Sequence, residues 1–313
     1  MQAVTISALR NEIQNQGERV AELLNAFLSR RSDTTRRAYQ TDLQDFTKYI
    51  AAPNVQDAVR QLISQGPGRA NSIALQYKGM MIEAHKTPAT VNRRLSALRS
   101  VIALAKTLGL ISWTLEIANE KTASYRDTRG PGVIGVQAIL GKVTGETPKA
   151  KRDRAIIRLM YDMALRRGEI ASLRLEDVDL ADKRLWIKGK GRSGEREALT
   201  LPEKTIEALR SWIEVRGQKP GSLFINYDHA GKGQGITGTA LWYLVRRLGM
   251  KANLKTRPHG IRHASITEAL ERTKDPRAVQ KFSRHKDLST VLRYDDNRED
   301  LGGKVAEIIS AGI

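Results

Sequence analysis

Residues 184–201 read RLWIKGKGRSGEREALTL, and this stretch decides the fold class. Arg184-Leu-Trp-Ile-Lys188 and Glu197-Ala-Leu-Thr-Leu201 alternate, and their connection opens with Gly189-Lys-Gly-Arg-Ser-Gly194. Alternation around a glycine-rich connection predicts a β-hairpin with a basic tip. The pattern GxxxxGK[ST] is absent, so these glycines are not read as a phosphate-binding loop. On both sides of the hairpin the apolar residues recur at helical spacing, which predicts a mainly α chain with one small antiparallel element.

Upstream, Val20–Leu28 has helical spacing. Thr34–Ile50 puts Tyr39, Leu43, Phe46 and Ile50 on one stripe, with Ser32 or Asp33 as a cap. Further helices are expected at about Asp57–Ser64, at Asn71–Ala84 and from Thr87-Pro88, the last burying Val91, Leu95, Leu98 and Ile102. Its opposite face carries Arg93, Arg94 and Arg99, and the preceding stripe helix carries Arg36 and Arg37. A solvated charged face and a DNA-backbone contact both fit these arginines. Residues 119–135, NEKTASYRDTRGPGVIG, are polar and glycine-rich and read as a linker. Beyond them helices are expected at about 136–142, 151–163, 168–174, 203–216, 237–249 and from 260 to the end.

The chain has 313 residues, too many for one comfortable core, so two domains are expected. No run of some 18 apolar residues exists and residues 1–20 lack a signal peptide's apolar core, so neither membrane nor secretion is indicated. The absence of cysteine excludes disulfides and thiolate chemistry and fits a reducing cytosol. The net charge of +19 points to a polyanionic partner, and nucleic acid fits better than a membrane because no basic amphipathic helix stands out.

Three further stretches carry chemistry. Pro258-His-Gly-Ile-Arg-His-Ala264 leads into an apolar-periodic helix, which brings His259, Arg262 and His263 within about one turn. Met163-Ala-Leu-Arg-Arg-Gly-Glu-Ile170 places Arg166 on a turn between two helices. Ser283–Asp296, SRHKDLSTVLRYDD, holds His285 and Tyr294, whose ring fits a core, a stacking platform or a nucleophile. Lys190 fits an ordinary hairpin lysine as well as a functional one. No HExxH or clustered carboxylate set appears, so no metal is expected.

Taken together and in this order, these pieces resemble the tyrosine recombinases, the integrase family of site-specific DNA recombinases. ALRRGEIASLRLEDVD is similar to its first signature, which makes Arg166 the first catalytic arginine and Glu169 its acidic support. KGKGRSGER matches at Lys190. HGIRH gives His259 and Arg262, with His263 in support, and RHKDLSTVLRY gives His285 and the nucleophile Tyr294. TTRRAYQTDLQDF and TPATVNRRLSALRSVIALA resemble the family's core-binding domain more loosely. Two departures stand out. Ala164 occupies a position where glycine is commoner, and Ser283-Arg284 replaces the usual Leu-Gly before His285.

The resemblance implies a helical core-binding domain over 1–122, a linker over 123–133, and an α-rich catalytic domain over 134–313 ending in a tail helix, the two domains forming a C-shaped clamp on DNA. It implies cleavage by Tyr294 through a 3′-phosphotyrosyl bond. Arg166 and Arg262 would grip the phosphate, His259 would act as base, His285 would donate to the phosphate, and Lys190 would protonate the leaving 5′-oxygen, without cofactor. The expected partners are double-stranded DNA with inverted-repeat sites and a homotetramer on two sites exchanging strands through a Holliday junction, in a cytoplasmic, nucleoid-associated setting. No arm-binding segment is evident before residue 20, which favours short sites. In EDLGGKVAEIISAGI (299–313), Gly302-Gly303 reads as a flexible break and Val305, Ile308 and Ile309 as one apolar stripe. That stripe would pack on its own domain or, as the resemblance suggests, on a neighbouring protomer. The alternatives are a type IB topoisomerase, a telomere resolvase and a DNA-binding accessory protein without catalysis; the intact catalytic positions argue against the last.

Overall fold

The computed structural model describes residues 6–29, 31–121, 130–188, 196–227, 231–292, 294 and 301–312. Two compact units divide the chain, Met1–Ser124 and Tyr125–Ile313. Among the described residues no helix is long and apolar enough to cross a membrane.

Unit one consists of α1 (Ile6–Ser29), α2 (Asp33–Tyr49), α3 (Val55–Ser64), α4 (Gly66–Glu83) and α5 (Pro88–Thr107). The caps are those the sequence offers: Ser32 and Thr87 each accept a hydrogen bond from the backbone N–H three residues on. Helix α4 starts earlier than its apolar spacing suggests, because Pro67 in its first turn needs no hydrogen-bond acceptor there. The core joins Phe27, Leu43, Phe46, Tyr77, Leu95 and Ile102. Across it, charged groups tie α5 to α2: Arg93 Nη1 donates to Asp42 (2.6 Å) and Arg94 Nη1 to Asp45 (2.5 Å). Tyr77 also donates to Asp45.

Unit two begins with α6 (Gly132–Gly141), α7 (Pro148–Asp162) and α8 (Arg167–Ser172). A three-stranded antiparallel sheet follows, in the order β1 (Val178–Asp179), β2 (Arg184–Lys188), β3 (Arg196–Thr200). The expected hairpin is therefore present, paired from Arg184↔Thr200 to Lys188↔Arg196, with a short first strand that two residues could not signal. Helices α9 (Glu203–Arg216), α10 (Gly238–Lys251), α11 (Pro258–Thr273), α12 (Pro276–Ser283), α13 (Leu288–Leu292) and α14 (Leu301–Ser310) complete the unit.

Helix α11 runs through this unit's interior: Pro258 and residues 260–267 are all buried, packed on α6 and α7. A helix held this firmly fixes the side chains of its first turn. One sequence expectation needs correcting: Gly302 and Gly303 lie within α14 and do not break the chain before it. Glycine lowers helix propensity by only about 1 kcal/mol, which the following apolar turn tolerates.

Candidate active site

Four segments of unit two deliver the site. Helix α7 ends at Met163, and Ala164 then turns with φ 46°, in the left-handed region, which carries the chain to Arg166 at the cap of α8. Here lies the reason glycine suits position 164. Arg166 is clasped by Glu169, whose carboxylate accepts from the Arg166 backbone N–H (2.7 Å) and from Nη1 (2.8 Å). The second Arg166 nitrogen, Nη2, donates to the Arg284 carbonyl (3.0 Å).

The first turn of α11 brings His259 and Arg262 to the same cleft, as their spacing predicts. Arg262 is buried; its Nη1 donates to the Ala164 carbonyl and its Nη2 to the Ser283 carbonyl. The same Nη2 lies 3.3 Å from His285 Nε2. A guanidinium only donates, so Nε2 carries a lone pair and the proton sits on Nδ1, which donates to Ser283 Oγ (2.9 Å). Helix α12 ends in Arg284 at φ 56°, again left-handed, and that turn aims His285 into the cleft. Helix α13 then returns the chain to Tyr294, whose N–H caps it on Val291.

Tyr294 is buried among Ala164, Ile266, Val279 and Val291. Its ring packs against two imidazoles, His263 at 4.6 Å between centroids and His285 at 5.6 Å. The expected nucleophile and the expected support residue are therefore in contact. A cleft of about 360 Å³ opens beside them, lined by Arg166, Arg167, Trp242, Arg257, His259, Arg262 and His285 among others. Arg257, Arg167 and Trp242 were not singled out from sequence. Arg257 caps α11 next to Pro258 and could have been found from that; Trp242 sits on α10 with no local signal.

Positive charge dominates the electrostatics. Burial, together with Arg166 and Arg284, lowers the Arg262 pKa to about 10. Burial and the charges of Arg262, Arg166 and Arg284 bring His285 down to about 4, so its ring is neutral at pH 7. The exposed His259 ring is lowered by its crowded cleft and by Arg262, Arg257 and Arg166. For Glu169, burial pushes the carboxyl up, but Arg284 and the charge and hydrogen bonds of Arg166 outweigh it and hold it below the usual range. Tyr294 moves the other way: burial raises its pKa, and Arg262 and Arg166 offset that only in part.

Of the other expected residues, Arg36, Arg37, Arg93, Arg94 and Arg99 belong to unit one. Lys190 lies outside the described residues. Arg36 pairs with Asp33 (2.8 Å), and Arg37 is exposed on α2. Arg99 donates to the Ile117 carbonyl and to Asn119 Oδ1. Arg94 is largely covered and holds Asp45, while Arg93 remains exposed beside its Asp42 partner. The arginine face of α5 is thus in good part an internal brace.

A buried tyrosine beside two guanidiniums and the neutral imidazole of His285 has the chemistry to attack a phosphodiester. Arginines bind nonbridging oxygens with paired donors and stay charged as charge develops in flight. Residues 136–300 match the phage integrase family. A tyrosine recombinase of Synechocystis sp., slr0733, is 36% identical over 288 residues, covering 90% of this chain and 92% of that one. A second tyrosine recombinase, from Synechococcus elongatus, is 36% identical over 284 residues, covering 88% and 89%. Among solved structures, the XerH site-specific recombinase bound to a palindromic difH substrate has the same fold, with a TM-score of 0.64 at 17% identity over 95% of this chain and 96% of that one. With the family model covering most of unit two and the relatives covering most of the chain, this protein belongs to the phage integrase family.

Proposed function

We infer that this protein is a site-specific DNA recombinase that cuts and rejoins duplex DNA through a 3′-phosphotyrosyl link at Tyr294. The observation that carries this reading is the convergence of Arg166, Arg262 and His285 on one cleft with Tyr294 packed against His263 and His285. The scissile phosphate enters between the two arginines. Burial and then the neighbouring arginines depress His259 and His285, and the negative charge of the phosphate offsets the arginine part, so both pKa values rise on binding. The Tyr294 oxygen attacks phosphorus and gives up its proton to the imidazole of His259 at the rim of the cleft, while His285 donates to a nonbridging oxygen of the phosphate. The P–O5′ bond breaks, and Lys190, two residues beyond β2 in the sequence, supplies the proton to the departing 5′-oxygen. The reverse attack by a 5′-hydroxyl from the partner duplex rejoins the strand and frees Tyr294.

Recombination needs two duplexes, and the proposed assembly is four copies on two inverted-repeat sites that exchange strands pairwise through a Holliday junction. The outward-facing stripe of α14 supports a contact between neighbouring copies. A nicked suicide substrate tests the chemistry, since loss of the short product strand traps the covalent adduct. The native protein accumulates adduct, and Tyr294→Phe binds the DNA but forms none. An adduct from Tyr294→Phe that survives denaturant places the nucleophile elsewhere.

A further inference from the structure

The two departures from the family pattern, Ala164 and Ser283-Arg284, meet in space. Ala164 (φ 46°) and Arg284 (φ 56°) both hold left-handed backbone at positions where glycine is the easier residue. The Arg284 side chain is 8% exposed and folds back beneath the cleft. Its Nη1 donates to the carbonyls of Met163 (3.2 Å) and Phe282 (2.9 Å). Its Nη2 donates to the carbonyl of Ala164 (3.1 Å) and to Glu169 Oε2 (3.2 Å). Each of those last two acceptors also holds a catalytic arginine. The Ala164 carbonyl receives Arg262, and the Glu169 carboxylate receives Arg166.

The backbone of the same segment repeats the arrangement. The Ser283 carbonyl accepts from Arg262 and the Arg284 carbonyl from Arg166, with His285 next in the chain set against Arg262. Two catalytic guanidiniums are thus held by successive carbonyls of one turn, and the side chain of that turn ties together their remaining anchors. A glycine at 284 would supply the turn but not the tie.

Building on the recombinase reading above, we propose that Arg284 is a positioning residue for strand cleavage: its guanidinium braces the Ala164 carbonyl against the Glu169 carboxylate and so fixes the spacing of Arg166 and Arg262 on the scissile phosphate. Arg284 acts through the anchors of Arg166 and Arg262. Its charge adds to the field on His285, consistent with that ring's lowered pKa.

Glycine substitution gives a clean test because it relaxes the backbone while removing the guanidinium. The assay is single-turnover adduct formation on nicked duplex at saturating protein, with the dissociation constant measured separately. Arg284→Gly should lower the thermal midpoint, because Glu169 loses one of its two guanidinium partners, while affinity of the folded protein stays near native and adduct formation slows by about 10- to 100-fold, as expected for misplaced phosphate ligands. Arg284→Lys, which keeps charge but reaches fewer acceptors, should fall between the two. In NMR titration of histidine side chains, the His285 pKa should rise in Arg284→Gly, a readout that a purely structural turn would not move. Arg284→Gly cleaving within twofold of native, or an unchanged His285 pKa, overturns the proposal. If Arg284→Gly does not fold, Arg284→Lys decides: slowed cleavage at native affinity supports the brace, and native rates overturn it. Absence of adduct from the native protein overturns the recombinase reading itself, and the proposal falls with it.

Discussion

The Arg262 guanidinium and the His285 imidazole meet at 3.3 Å, Nη2 to Nε2, while His285 Nδ1 is fixed on the Ser283 hydroxyl. In the absence of DNA the imidazole is therefore an acceptor. The role of donor to the phosphate, expected from sequence, requires a proton on Nε2 and hence a change of state when the phosphate arrives and engages Arg262. Binding and protonation are coupled through this one contact.

The coupling has a sign that can be measured. The His285 pKa is about 4 in the folded protein, against an unfolded value near 6.5, so folding favours the neutral ring. The unfolded chain takes up a proton between those limits that the folded chain refuses, so stability falls as pH drops from about 6.5 towards 4. The thermal midpoint should fall between pH 7.5 and 5, and fall less in His285→Asn. His259 is lowered as well, so part of the slope should remain in that variant. Equal slopes in both proteins would show that the ring is not held neutral.

Glu169 is buried, and among the described residues it is the carboxylate paired with both Arg166 and Arg284. Glu169→Gln keeps the shape and one acceptor but leaves the guanidiniums without an opposing charge. Breaking a buried pair in this way costs about 3 kcal/mol. Urea titration should show a lowered midpoint, and the surviving folded fraction should cleave slowly because Arg166 loses its orientation. A variant within ~1 kcal/mol of native would mean that backbone carbonyls alone hold the arginines.

In unit one the arginines separate into two kinds. Arg94 covers the buried Asp42 and the half-buried Asp45, and burial already raises the Asp42 pKa despite both neighbouring arginines. Arg94→Ala should therefore lower the thermal midpoint of the protein, with DNA affinity falling as a consequence. Arg37 is exposed and has no ion-pair partner among the described residues. Arg37→Ala should leave the midpoint unchanged and flatten the slope of log affinity against log salt by about one. An unchanged slope would make Arg37 a solvated charge only.

Much of the site was legible because its parts are local. The cap at Arg166 with Glu169 three residues on, the single turn from His259 to Arg262, and the short run from His285 to Tyr294 are each fixed by spacing along one or two elements. What escaped depends on distant pairing. Arg284 works by reaching carbonyls about 120 residues away at the end of α7, and α5 arginines find partners on α2 about 50 residues before them. A charged residue's partner across that distance leaves no periodic mark. The left-handed turns at Ala164 and Arg284 carry no local signal, since neither residue is glycine, and only the resemblance marked the two positions.

The last prediction concerns α14. Val305, Ile308 and Ile309 are 57%, 71% and 64% exposed, so the stripe is not buried in the core of its own chain. A helix of ten residues is marginal by itself and gains stability only where such a stripe is covered. Covering three aliphatic side chains is worth roughly 5 kcal/mol before the cost of ordering the helix. That suffices to stabilise contacts among copies already gathered on DNA and is too little to assemble them in its absence. Removing residues 304–313 should accordingly leave the thermal midpoint and single-site binding unchanged. Cooperative filling of paired sites and strand exchange should be lost, while adduct formation on a single nicked site persists. Native gels with one-site and two-site DNA read the assembly, and a recombination assay reads the exchange. A lowered thermal midpoint would show that α14 stabilises its own unit, and native levels of paired complex and recombinant product would remove it from the assembly.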